Sequence, residues 1–449
     1  MTHKQSLQLS AVLCLASFLS AHAQDPTPRM QQIIQASVAD KTFMGTVLVA
    51  KDGKTIIDQG YGSADLEWNI PNTPAVKFRL GSLTKQFTAA SILLLEERGK
   101  LKVEDPISKY MPDAPSAWSK ITIYHVLTHT SGIPSFTSFP DYATTEWKDT
   151  TPTELVARFR DKPLDFEPGT KFSYSNSGYV LLGYLIEKIS GQTYADFLQQ
   201  NIFTPLNMTD TGIDSNAAII PQRAQGYTPS PHGVHHAGYI SMTIPLSAGA
   251  IYSTTGDLLK WEQALYGGKL LTPASLTKMT TPFKSDYAFG LSVRTVDGHK
   301  IITHNGGIEG FNTSLNYYPD DKLVVIILGN LNGGAPDQIA NNLGKVALGQ
   351  TVTLSSERKE VSVSSATLAD YAGTYQMTPT INNVIAVKDG HLTTKLGKQP
   401  ELDLFAESDT KFFLKAVDAE IEFFRDPTTH AVNRLIIYQG GTQHEGKKQ

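Results

Sequence analysis

Cysteine is nearly missing from this chain. One residue, Cys14, is all that 449 positions hold, and it lies in the apolar run Leu9 to Leu19, preceded by Leu13 where a lipid-attachment site wants a small residue. Past that run no disulfide, thiolate metal site or cysteine nucleophile can form. Stability must come from buried apolar surface, and 40% hydrophobic residues in a chain of this length allow one large core and a second small one. A dominant charge is lacking as well. The 39 Lys and Arg face 43 Asp and Glu, a formal net charge of −4, and no basic stripe points to nucleic acid as a partner. No apolar run reaches the ~20 residues of a membrane-spanning helix. The first run follows Lys4 and ends at Ala21-His22-Ala23, the layout of a secretory leader with an A-x-A cleavage site. This predicts an exported, periplasmic or secreted protein with a leader over 1–23.

What the sequence does have is a change of pattern along its length. Arg29 to Asp40 reads as an amphipathic helix, and 46–50 with 55–59 as a hairpin about Lys51-Asp52-Gly53, whose Asp-Gly supplies the positive φ angles of a tight turn. From Leu80 to Arg98 the residues are apolar all round until Glu96, which implies a buried helix. Helices are predicted at Thr153 to Phe159, Tyr179 to Ile189 and Asp257 to Leu265. Strands are predicted at Tyr287 to Arg294, His299 to His304, Asn312 to Tyr318 and Leu323 to Leu328, spaced as an antiparallel meander. An N-terminal hairpin with C-terminal strands around helices gives an α+β class. The Ser, Thr and Val-rich stretch before Thr367 reads as a linker. After it, strands at Val384 to Val387, Leu392 to Leu396, Lys411 to Ala416, Glu420 to Arg425 and Arg434 to Tyr438 describe a small all-β sandwich or barrel. The expected organisation is leader 1–23, a large α+β domain 24–352, linker 353–367 and small β-domain 368–449.

Ser82-Leu83-Thr84-Lys85 is an S-x-x-K motif, and a helical spacing of three places the ammonium beside the hydroxyl. The pattern recurs at Ser275 with Lys278, Ser356 with Lys359 and Ser408 with Lys411, so context must separate the copies. Only Ser82 follows a glycine and opens a long apolar helix. Burial there would lower the pKa of Lys85 and make it a base. Ser275, after Pro273, looks like a cap on a short exposed helix. Tyr174-Ser175-Asn176 precedes another helix, where the phenol could relay a proton if a nearby ammonium lowered its pKa and the amide could bind a substrate carbonyl; a loop tyrosine capping the core is the structural alternative. His304-Asn305-Gly306-Gly307 is read as closing a strand. A backbone N–H there could form half an oxyanion hole with the N–H of Ser82, and His304 could bind a carboxylate, assist proton transfer or be merely structural.

These three elements, in this order, resemble those of the penicillin-recognising serine hydrolases: class C β-lactamases, D-alanyl-D-alanine carboxypeptidases, D-aminopeptidases and β-lactamase-like esterases. So do the stretch His125 to Pro134, Phe166-Glu167-Pro168-Gly169, and Ala248 to Thr254 with Asp257-Leu258. The resemblance covers roughly 30 to 350 and implies a β-lactamase/transpeptidase-like fold. The segment from Leu368 to Tyr375 resembles the start of a lipocalin-like barrel appended to some members. The resemblance implies Ser82 as acylated nucleophile, Lys85 as base and Tyr174 as proton relay. It implies substrate binding by Asn176, His304, Asn305 and Gly306, and an oxyanion hole from the N–H groups of Ser82 and Gly307. Where many β-lactamases have Lys-Thr-Gly, this chain has His304-Asn305-Gly306, which weakens β-lactam hydrolysis specifically.

The activity expected is hydrolysis of an amide or ester, with a D-alanyl peptidase or β-lactam hydrolase ahead of a carboxylesterase, on a small-molecule or peptide substrate and without cofactor. A penicillin or peptidoglycan sensor without turnover is the non-enzymatic alternative. An α/β hydrolase is a poor fit, since no G-x-S-x-G elbow occurs. His232, His235 and His236 have ligand-like spacing but no acid close in sequence, so no metal is assigned to them.

Overall fold

The computed structural model describes residues 25–415, 417, 419–439 and 442–449. The expected leader and Cys14 lie outside them. No helix among the described residues is long and apolar enough to cross a membrane.

Six strands form one antiparallel sheet: β1 (Gly45–Lys51), β2 (Lys54–Tyr61), β3 (Ser292–Val296), β4 (His299–Ile308), β5 (Phe311–Tyr318) and β6 (Leu323–Gly329), in the order β3-β4-β5-β6-β1-β2. The β1–β2 turn is made by Asp52 and Gly53, both at positive φ, as the Asp-Gly pair requires. β6 is buried along its whole length, which explains why it is apolar at every position instead of alternating. One face of the sheet carries Val47, Val49, Val325 and Ile327 into a core with the helices Thr27–Ala39 and Ala335–Ala347. The other face carries Leu48, Ala50, Ile326 and Leu328 into a larger core with the helices Thr84–Glu97, Asn176–Ser190 and Thr255–Tyr266. Every residue from Thr84 to Leu95 is buried, as the all-round apolar pattern predicts.

The strand expected from Tyr287 begins only at Ser292. Ser285, Asp286 and Gly290 take positive φ, and Gly290 packs so tightly that a Cβ there would sit 2.5 Å from the Lys85 carbonyl oxygen. The residues before Ser292 therefore fold back on themselves, Tyr287 making isolated bridges to Lys284 and Ser292, instead of extending the strand. The strand expected to stop at His304 runs on to Ile308, because β5 pairs with it as far as Phe311 opposite Ile308.

Glu262 belongs to the larger packed region. It is 2% exposed, neither carboxyl oxygen has a hydrogen-bond partner, and burial pushes its pKa up to about 8.

The C-terminal part is a closed barrel of eight antiparallel strands running from Gly373–Thr378 to Thr442–Lys448, led in by a helix, Ser365–Tyr371. Closure removes the free edges that a sandwich would leave. The Leu402–Ala406 strand and the two end strands were absent from the sequence expectation. Tyr371, Tyr375, Phe412, Phe423 and Leu435 fill the interior, with Tyr371 stacked on Phe423 at 4.2 Å. Arg358, in the segment before the barrel, ion-pairs with Glu407 at 3.0 Å and with Glu420, tying that segment to the barrel wall.

Candidate active site

Ser82 sits in a single turn of 3-10 helix, Gly81–Leu83, that runs into the helix Thr84–Glu97. Gly81 is at φ +54°, and a Cβ on it would lie 2.9 Å from the Gly307 nitrogen. Both facts demand glycine, and together they bring the Ser82 turn against β4. Ser82 itself is partly exposed, while Gly81 and Leu83 are buried.

Lys85 is fully buried. Its Nζ donates to Asn176 Oδ1 and to the Ala248 carbonyl, both at 2.9 Å, and lies 3.0 Å from Ser82 Oγ. Burial holds its pKa well below the usual amine range. A neutral amine has two N–H groups and one lone pair; with both N–H groups committed to the two oxygens, the lone pair is left for the Ser82 hydroxyl. Ala248 is delivered by tight packing, since a Cβ on Gly183 would meet Ser247 Oγ at 2.0 Å, and Ser247 in turn donates to the Tyr179 carbonyl at 2.8 Å.

Tyr174 OH donates to Ser82 Oγ at 2.9 Å. Tyr174 is 38% exposed, with Lys85 Nζ 4.8 Å from the ring centroid. Dense surroundings push the phenol well above its ordinary value, and the Ser82 bond offsets only part of that. The lowered phenol pKa expected from a neighbouring ammonium is therefore not found, because the lysine beside it is held towards the neutral amine. The phenol stays a proton donor. Asn176 opens its helix after Ser175, whose side chain caps the Gly178 N–H. Its Oδ1 is taken by Lys85, and its Nδ2 donates to Thr137 Oγ1 at 3.2 Å, so it orients the lysine.

β4 forms the opposite wall. It pairs with β5 over Ile302–Ile308, but with β3 only over His299–Thr303, so from His304 onwards its other edge has no strand partner among the described residues. Gly306 lies against the Ser82 turn, where a Cβ would stand 1.9 Å from the Leu80 carbonyl oxygen. His304 is buried, accepts from Tyr287 OH at Nε2 (3.0 Å) and donates from Nδ1 to the Asn305 carbonyl (2.6 Å). Burial and the nearby Lys85 lower its pKa to about 4, so it is neutral with both ring nitrogens engaged. Asn305 is not brought to Ser82. Strand alternation turns it to the other face, where Nδ2 donates to Asp337 Oδ2 at 3.0 Å.

The other S-x-x-K copies stand apart from this cluster. The cap of the helix Pro273–Met279 is Thr272, not Ser275; Ser275 is buried at its third position, and Lys278 ion-pairs with Glu96 at 3.0 Å. Ser408 accepts from the Lys411 backbone N–H in a barrel turn. His235 and His236 lie on an exposed hairpin strand that begins just after His232. The acid absent nearby in sequence arrives from elsewhere in the chain, as Glu67 Oε1 lies 2.9 Å from His236 Nε2, yet no group of three metal-capable side chains occurs among the described residues. Sequence reasoning gave no role to Ala248, Thr137, His129 or Tyr287. The first and third lie in stretches already noted as family-like; the other two carry no local signal.

With this geometry in place, comparison with known proteins gives a consistent answer. A family model described as Beta-lactamase matches residues 30–349, and a second, described as a domain of unknown function (DUF3471), matches 357–445. Penicillin-binding protein 4* of Bacillus subtilis (strain 168) is 29% identical over 94% of this chain and 98% of its own. An octameric penicillin-binding protein homologue from Pyrococcus abyssi superposes with a TM-score of 0.66 at 25% identity, over 94% of this chain and 99% of that one. The D-amino acid amidase of Ochrobactrum anthropi SV3 does so with a TM-score of 0.64 at 26% identity, over 72% and 98%. A buried lysine and a tyrosine converging on one serine, in a fold shared with these proteins, identify the chain as a member of the β-lactamase family, the penicillin-recognising serine hydrolases.

Proposed function

We propose that this protein is an exported serine hydrolase that cleaves amide bonds, of D-amino-acid amides or peptides, through an acyl-serine at Ser82. The observation that carries this reading is the pair of contacts on one oxygen: Lys85 Nζ at 3.0 Å and Tyr174 OH at 2.9 Å from Ser82 Oγ. Lys85 takes the hydroxyl proton as Oγ bonds to the substrate carbonyl carbon. The N–H groups of Ser82 and Gly307 hold the resulting oxyanion. Tyr174 hands its proton to the leaving nitrogen as the C–N bond breaks, and recovers one from Lys85. Water then hydrolyses the acyl-enzyme by the reverse relay.

The place where a Lys-Thr-Gly lysine would meet a carboxylate is taken here by His304, neutral and committed at both nitrogens. This favours substrates without a carboxylate at that point and ranks amide cleavage ahead of β-lactam hydrolysis. The amidase likeness supports the same order. Esters share the acylation chemistry and enter as a slower or alternative substrate class. A leader at 1–23, a hydrolase domain over 24–352, a linker over 353–367 and a barrel domain over 368–449 complete the proposal; the family matches at 30–349 and 357–445 support the division. The test is turnover of D-amino-acid amides, D-Ala-D-Ala peptides, nitrocefin and p-nitrophenyl esters by the purified mature protein, with mass spectrometry of a fluorophosphonate adduct. An adduct on Ser82 with amide turnover supports the reading; an adduct elsewhere, or labelling without turnover of any of the four, overturns it.

A further inference from the structure

Behind Tyr174 lies a group that the relay does not use. His129 is 1% exposed and sits at φ +56°, a left-handed conformation uncommon for residues other than glycine. Its carbonyl accepts the Ser173 N–H at 2.9 Å, and its ring Nδ1 accepts the Ser175 N–H at 3.1 Å. Those two N–H groups flank Tyr174 on either side. One residue thus grips the chain immediately before and immediately after the tyrosine, once by backbone and once by side chain. The ring also lies 4.3 Å from the Tyr174 ring, 5.0 Å from Tyr179 and 4.7 Å from Tyr287.

We infer that His129 is a positioning residue for the proton relay: it acts as a clamp that fixes the backbone on both sides of Tyr174 and so holds the phenol on Ser82 Oγ. The inference rests on the acyl-serine reading above. The unusual φ has a purpose in this arrangement, since it turns the carbonyl and the ring so that both meet the 173–175 segment. The tautomer follows from the same bond. Accepting at Nδ1 leaves the proton on Nε2, which has no acceptor. Burial and the neighbouring Lys85 and His304 keep the ring from taking a second proton, so it adds no positive charge that would compete with Lys85. A histidine placed only to fill space would be replaceable by an apolar side chain; one with a buried, unpaired Nε2–H is held for what Nδ1 and the carbonyl do.

Leu and Asn test this, because both branch at Cγ, and Asn Oδ1 falls where His Nδ1 accepts from Ser175, whereas Leu offers no acceptor. Asn is also the side chain best tolerated at left-handed φ. Tyr174 matters most when the leaving group needs a proton, so amides and p-nitrophenyl esters should separate. His129→Leu should lower kcat on an amide about 100-fold, the scale of an ångström-sized misplacement of a reacting group, and on the ester less than about five-fold, with KM changed on neither by more than about two-fold. His129→Asn should keep amide kcat within about five-fold of the parent. In a Tyr174→Phe background, His129→Leu should add less than about two-fold, because the group it positions is already gone. Equal losses on amide and ester, an Asn variant as poor as the Leu variant, or multiplicative losses with Tyr174→Phe would each overturn the clamp. Ser82→Ala, assayed alongside, separates the two failures: lost turnover leaves the nucleophile reading standing whatever His129 does, and retained turnover removes both.

Discussion

Glu262 offers a stability experiment whose size can be worked out beforehand. A carboxyl that is 2% exposed, with neither oxygen bonded, holds its proton in the folded protein up to about pH 8, whereas an unfolded chain releases it near the ordinary value of 4.5. The raised folded-state pKa means that the unfolded state binds fewer protons between those values, so stability falls as pH rises through that window. The slope is about 1.4 kcal/mol per pH unit, full stability is present below pH 4.5, and the loss levels off above pH 8. Glu262→Gln keeps the shape and cannot ionise. Both proteins share every other titrating group, so the difference between their unfolding free energies isolates this one. From pH 5 to pH 8 it should move by about 3 to 4 kcal/mol in favour of the variant. Urea unfolding followed by tryptophan fluorescence suits the test, since Trp261 is the adjacent residue and is fully buried. A variant-minus-parent difference that stays flat within about 0.5 kcal/mol over that range would refute the reasoning.

Ser82→Ala should abolish turnover, and Ser275→Ala should leave it within about two-fold, because Lys278 is paired to Glu96 and not to a serine; equal losses in a steady-state assay would contradict the context argument. Lys85→Ala should slow Ser82 labelling by a fluorophosphonate at least about 1,000-fold, without loss of the folded circular dichroism spectrum. In the parent, the labelling rate should fall as pH drops through the lowered pKa of Lys85, the amine being the active form; a rate flat with pH and indifferent to the substitution would remove the lysine from acylation. Gly306→Ala should cut acylation about 100-fold or more, since its Cβ would collide with the Leu80 carbonyl oxygen and force β4 away from the Ser82 turn; near-parental labelling would show that the close approach is unnecessary.

Ser82 could be singled out from four tetrapeptides because its surroundings are themselves written in the sequence. Gly81 permits the turn, and the unbroken apolar run behind it buries Lys85. The α+β arrangement, the β1–β2 hairpin and the barrel follow from periodicities that short-range physics sets. What could not be read depends on contacts distant in sequence. Tyr287 to Leu291 is apolar enough to pass for a buried strand, and only the packing of Gly290 against the Lys85 carbonyl turns it aside. Two glycines after Asn305 suggested a strand end, yet pairing with β5 carries the strand through them and sends Asn305 to the far face. Leu402–Ala406 is short, and Thr442–Lys448 is polar without alternation, so neither announces itself. His129 belongs to a family-like stretch, but nothing local says that its φ is positive or that it reaches Ser175.

The half-paired strand β4 has a consequence for what the cleft can admit. Past Thr303 its edge has no strand partner among the described residues, and the main-chain groups there that neither the Ser82 turn nor the His304 ring engages are open to hydrogen bonds from a guest's main chain. A guest seated there must be extended, and a proline or N-methyl group at the wrong step forfeits one of those bonds. Reach along this edge is set by where β3 stops pairing, at Thr303. Extending β3 by two residues would pair it with His304 and Asn305 and cover the first of these groups, so the length of a neighbouring strand sets how much of the β4 edge stays free.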